Sequence, residues 1–119
     1  MQNHFLLDEN KEIRTTDPVY SARVLDMGAM HLLDAYFSIE NGLNQNVSCQ
    51  LQGKCKEGEV WRNIGSAVVV PAAVGGVPGV PAAAFYTAEM WDTIRVKYTA
   101  AGLPTSGTLL CSVVGHING

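Results

Sequence analysis

Apolar and polar side chains alternate with a period of two at several places along this chain of 119 residues, the pattern of antiparallel strands buried on one face and solvated on the other. Val47, Cys49 and Leu51 share one face, with Ser48, Gln50 and Gln52 opposite. Ile94, Val96 and Tyr98 oppose Arg95, Lys97 and Thr99 in the same way. Near the end, Leu109, Cys111 and Val113 oppose Thr108, Leu110, Ser112 and Val114. Ala35, Phe37 and Ile39 form a fourth set, and Tyr20, Ala22 and Val24 a weaker fifth. Turn chemistry separates these runs: Asn41-Gly42 with Asn44, Glu57-Gly58 before Trp61, and Leu103 to Gly107 before the last strand. Met27 to Phe37 carries two periods at once. Met30, Leu33 and Phe37 fall at helical spacing, while β-branched and aromatic enrichment favours a strand from about Ala35 onward. Short strands punctuated in this way predict an all-β fold, an antiparallel β-sandwich or jelly-roll-like small domain of about seven or eight strands.

Two segments break the pattern. Residues 66–88, SAVVVPAAVGGVPGVPAAAFYTA, contain no charged side chain and are interrupted by Pro71, Pro78, Pro81, Gly75, Gly76 and Gly79. Prolines without amide hydrogens and glycines with high backbone entropy exclude a regular helix or central strand from its middle, so an apolar loop is expected there. An apolar loop of that length either folds back over its own core or is covered by another chain. The second reading predicts a subunit that works by packing against neighbours. The first eighteen residues hold six of the nineteen charged side chains around the cluster Phe5-Leu6-Leu7. They are expected to form an N-terminal arm, 1–18, ordered when it finds a surface, ahead of a sandwich domain spanning 19–119. Candidate interface residues are therefore Phe5, Leu6 and Leu7 of the arm and Val74, Val77, Pro78, Val80, Pro81, Phe85 and Tyr86 of the apolar segment.

Composition narrows the partners. Hydrophobic residues make up 47% and charged ones 16%, below the usual quarter, so much of the surface is uncharged or in contact with something. A net charge of −3 with scattered basic residues argues against a nucleic-acid partner, which needs clustered Lys and Arg to neutralise phosphates. The opening residues show no basic-then-apolar signal pattern, and the Pro- and Gly-broken stretch makes a poor membrane span, so no membrane partner is expected. Cys49, Cys55 and Cys111 are odd in number and lack metal-ligand spacing, which suits a reducing compartment.

No constellation of catalytic type stands out. His4, His31 and His116 are far apart in the chain, and no G-x-S-x-G elbow occurs. Gly75 to Gly79 lacks the Lys and Ser/Thr of a phosphate loop. Glu57 and Glu59 read as a solvated turn flanked by Lys54 and Lys56 rather than a cation site, and Cys49 and Cys111 as small core residues. Catalytic, cofactor and metal sites are thus expected to be absent. Trp61, Trp91, Tyr86 and Tyr98 raise a second class, a carbohydrate-binding module with planar aromatic platforms. Against that, Trp61 before Ile64 and Trp91 before Ile94 have the look of core aromatics at strand starts. Arg95 and Lys97 face outward together, as an interfacial charge pair or as a solvated edge that discourages misassembly.

The stretches Val47 to Lys54, Val60 to Gly65, Trp91 to Ala100 and Pro104 to Leu109 together resemble small β-sandwich virion proteins of tailed bacteriophages. The resemblance spans about the last two thirds of the chain and rests on strand and turn chemistry. It implies a head-decoration type of virion protein, made in the bacterial cytoplasm, that binds a major capsid or other virion protein. It also implies a homo-oligomer, with a trimer favoured, and an arm or loop reaching a neighbour. The long Val/Ala/Pro/Gly insertion departs from that pattern.

Overall fold

The computed structural model describes residues 2–28, 30–55, 60–74, 80–87 and 91–117. The described residues form ten strands and no helix: β1 (Gln2–Lys11), β2 (Val19–Tyr20), β3 (Leu25–Asp26), β4 (Met30–Glu40), β5 (Val47–Lys54), β6 (Arg62–Asn63), β7 (Val68–Val70), β8 (Ala82–Thr87), β9 (Thr93–Ala100) and β10 (Thr108–Ile117). They make two antiparallel sheets. One has the order β1-β10-β4-β8, and the other β2-β9-β5-β6, with β3 also on β9 and β7 also on β5. Each long central strand of the second sheet is thus flanked by two short ones placed end to end.

The expected alternation is realised where one face is core. Val47, Cys49 and Leu51 of β5, Ile94, Val96 and Tyr98 of β9, Leu109, Cys111 and Val113 of β10, and Ala35, Phe37 and Ile39 of β4 all enter a single core between the sheets. The ambiguous Met27–Phe37 region is strand from Met30, earlier than Ala35, and Leu33 extends its inward row. The weak fifth set is overturned. Tyr20, Ala22 and Val24 are all exposed, because the inward positions here are Val19, opposite Tyr98, and Leu25, opposite Ile94, so the set faces solvent rather than the core.

Two positions show why particular turns close. At Asn41-Gly42 both φ angles are positive, 55° and 73°, and Leu43 N donates to Glu40 O, the geometry of a type I′ turn that Asn-Gly favours. Gly107, at φ 84°, lies so close to Leu43 that a Cβ would overlap its backbone nitrogen and Cα.

The segment expected as an arm is an edge strand. β1 pairs with β10 from Gln2↔His116 to Lys11↔Leu109, so the surface on which it lies belongs to its own chain. A register shift between Leu6↔Ser112 and Asp8↔Cys111 turns both Leu7 and Asp8 inward. The Asp8 carboxylate accepts hydrogen bonds from the Tyr98 hydroxyl (2.6 Å) and from Ala22 N (2.8 Å), joining the two sheets. The stretch 66–88 likewise is not loop throughout. β7 and β8 occupy its two ends, stopping just before Pro71 and starting just after Pro81, so that neither proline interrupts a ladder. Val70 is fully buried and Ala82 and Ala84 pack on the core, so part of the stretch does fold over its own sheet.

Candidate functional site

Two surfaces stand out, and the first is the end of the sandwich from which the Pro/Gly segment emerges. Asn46 organises it. Its side-chain oxygen accepts from Ala72 N at 2.8 Å and its carbonyl from Ala101 N at 2.9 Å. Ala73 N donates to Leu43 O, and Asn44 clasps Thr105 through both its amide nitrogen and its amide oxygen. These bonds fix three connections side by side, yet leave large aliphatic side chains outside. Val74 is 75% exposed, Val80 74%, Leu103 58% and Val69 56%, half of the exposed large hydrophobic residues found among the described positions.

The residues expected at an interface fare differently. Val74, Val80 and Pro81 are exposed at this end. Leu7 is 2% exposed and belongs to the protein's own core, and Phe5 packs against that core, because the inward face of β1 takes both; Leu6, on the opposite face, is half-buried. Val77 and Pro78 lie outside the described residues. Phe85 and Tyr86 are placed in β8 opposite Asp34 and Leu33, and their side chains lie outside what is described.

The second surface is the outer face of the β2-β9-β5-β6 sheet, which sequence reasoning treated as ordinary. Strand register builds it row by row. Tyr20, Lys97 and Gln50 lie abreast; Arg95, Gln52 and Asn63 form the next row; Asp26, Thr93 and Lys54 the one after. The Arg95 guanidinium sits 3.9 Å from the Tyr20 ring centroid and 4.3 Å from that of Trp61, and Lys54 Nζ lies 5.0 Å from the Trp61 centroid. Arg95 Nε donates to Gln52 Oε1 at 3.0 Å, and Gln52 Nε2 in turn donates to Asn63 Oδ1. Although Gln52 points away from the core, the stack covers it to 7% exposure. Partial burial draws the Arg95 pKa below its ordinary value, an effect the nearby Tyr20 opposes, while guanidinium stays charged at neutral pH.

Several expectations change here. Trp61 is not a core aromatic but a half-exposed partner for two cations, whereas Trp91 does pack on the core, where a Cβ on Gly53 would come within 2.7 Å of its indole. Arg95 and Lys97 face outward as expected, but β9 lies inside its sheet, so they do not guard an edge. Tyr98, one of the aromatics considered as a platform, is fully buried. Cys49 and Cys111 are core thiols; burial drives the Cys49 pKa far up and that of Cys111 up to about 12, while Cys55 is exposed. Glu57, Glu59 and Lys56 lie outside the described residues. Among the described residues no helix is long and apolar enough to cross a membrane, and no three His, Cys, Asp or Glu side chains gather as metal ligands.

No protein-family model matches the chain, and no curated protein sequence does. Solved structures match in fold. The PBSX exported protein XepA superposes with a TM-score of 0.68 at 16% identity, covering 98% of this chain and 38% of that one. The VP2 subviral particle of infectious bursal disease virus gives 0.65 at 9% identity, covering 100% and 33%. The mannan-recognising carbohydrate-binding module TmCBM27 gives 0.53 at 17% identity, covering 82% and 63%. The chain thus spans between one third and two thirds of the length of these structures, and at such identities the likeness is one of β-sandwich fold.

Proposed function

We propose that the protein is a non-enzymatic structural component of a virion, one that decorates and stabilises a phage capsid through symmetric contacts between copies and with the shell. The observation that carries this reading is the apolar end. Val69, Val74, Val80 and Leu103 stand exposed beside connections that Asn46 and Leu43 tie together, so the side chains are held out where a neighbour can cover them. We assign that end to a second copy of this chain, with a trimer as the closed assembly, and the capsid protein to the remaining contacts. Covering each side chain contributes about 1 kcal/mol or more at ~25 cal/mol per Å² of apolar area. Four give about 4–6 kcal/mol per contact, too little for a lone pair of subunits once association entropy is subtracted, but enough when symmetry repeats it. The sequence resemblance to phage virion β-sandwiches and the fold likeness to a viral VP2 particle support the same reading.

A carbohydrate-binding function is the second reading, favoured by the fold likeness to a mannan-binding module and by the Trp61 and Tyr20 rings on an open sheet face. Those rings already carry Arg95 and Lys54, which argues against stacking of a neutral sugar. The test is assembly. The quadruple variant V69S/V74S/V80S/L103S keeps β7, β8 and the core intact, and is expected to run as a folded monomer where the wild type runs as an oligomer and co-sediments with capsids. An unchanged oligomer in that variant would remove the apolar end from the account. Saturable quenching of tryptophan fluorescence by mannan would favour the second reading.

A further inference from the structure

We propose that the outer face of the β2-β9-β5-β6 sheet, centred on Arg95, binds an extended acidic segment of a partner polypeptide through its carboxylates. Arg95 is held ready for this. Two aromatic rings fix the plane of its guanidinium, and Gln52, itself buried and anchored on Asn63, takes up Nε. Among the described residues no carboxylate answers that charge: the one ion pair there joins His116 to Asp34 on the other sheet, and no described residue bonds the Arg95 Nη groups. An arginine fork with one edge anchored and one edge unused suits a planar anion held by two parallel hydrogen bonds, and the aromatic clamp means little side-chain entropy is lost on binding.

Neighbouring charges extend the site along the strand direction. Lys97 follows Arg95 at i+2 on the same face, about 6.6–6.8 Å along the strand. That repeat equals the spacing of alternate side chains on an extended peptide, so a segment of Glu-x-Glu type lying along β9 brings one carboxylate to each cation. Lys54, over Trp61, stands in the adjacent row. The acid on these strands, Asp26, lies across Thr93 from Lys54 and in a different row from Arg95 and Lys97. A sugar acid fits less well, because the Trp61 and Tyr20 faces on which a pyranose would stack are taken by the cations.

This inference does not depend on the virion reading, and purified protein tests it. The probe is the peptide acetyl-(Glu-Thr)4-amide, titrated while tryptophan fluorescence is followed; Trp61 reports on the site. Binding is expected to weaken steeply with added salt, and R95Q and K97Q are each expected to lower affinity about tenfold, the effect of losing one charge-assisted contact. R95K, which keeps the charge and loses the fork, should recover only part of it. Thermal unfolding of each variant should stay near that of the wild type. The proposal is overturned if the peptide does not bind, if R95Q binds it equally well, or if polygalacturonate binds more tightly than the peptide.

Discussion

Replacing Tyr98 with Phe removes one oxygen atom from the centre of the molecule and leaves the ring in place. Tyr98 is fully buried and Asp8 is 4% exposed, so in the variant the Asp8 carboxylate keeps the Ala22 N–H and loses the phenol hydroxyl at 2.6 Å. Losing a hydrogen bond to a buried charged group costs about 1.5–3 kcal/mol. At about 2.1 cal/mol/K per residue the unfolding entropy of 119 residues is roughly 0.25 kcal/mol/K, so the midpoint should fall by about 6–12 °C. Urea unfolding of the wild type, Y98F, D8A and the double variant, followed by tryptophan fluorescence, gives the coupling between the two residues. Hydrogen exchange locates the effect. Asp8 ties β1 to the opposite sheet, so β1 amides should lose protection in Y98F more than those of β5. A destabilisation below about 0.5 kcal/mol, or unchanged protection of β1, would refute the idea that this clamp holds the first strand in the sandwich.

Three further outcomes follow from the same structure. Ellman's reagent should label one thiol, Cys55, in the native protein and all three in denaturant, since Cys49 and Cys111 are buried and held protonated. Burial also raises Tyr98, so it and the two thiols stay neutral in the folded chain while the unfolded chain ionises from about pH 9–10; the unfolding free energy from urea titrations should therefore be flat below pH 9 and fall above it, by up to ~1.4 kcal/mol per pH unit for each group. The substitution G107A places a Cβ on the Leu43 backbone at a φ of 84° and should cost more than about 3 kcal/mol or abolish soluble expression, read by circular dichroism against wild type.

Strands with one face in the core could be read directly from the chain. In β5, β9 and β10 each inward residue is apolar over three successive pairs, and a two-residue period admits no other assignment. β4 was ambiguous because Leu33 and Phe37, four apart, satisfy the helical and the strand period alike; pairing with β10 on one side and β8 on the other settled it. β1 was hidden by its bulge, which turns the adjacent residues Leu7 and Asp8 inward together and so erases the alternation. β7 and β8 were hidden for a different reason: Val68 to Val70 and Ala82 to Ala84 are apolar on both faces, and a uniform run carries no period. The Arg95 stack joins residues 20, 61 and 95 from separate strands and connections, and no local spacing announces it. Outward Arg95 and Lys97 were the one visible half of that surface.

Light scattering coupled to size-exclusion chromatography, run with and without purified capsids, decides whether the protein works by assembling. The free protein should be an oligomer, a trimer, that moves into the capsid fraction, while V69S/V74S/V80S/L103S should stay behind as a folded monomer. A wild-type protein that remains a single 12.8 kDa copy at all concentrations and never co-elutes with capsids would contradict assembly.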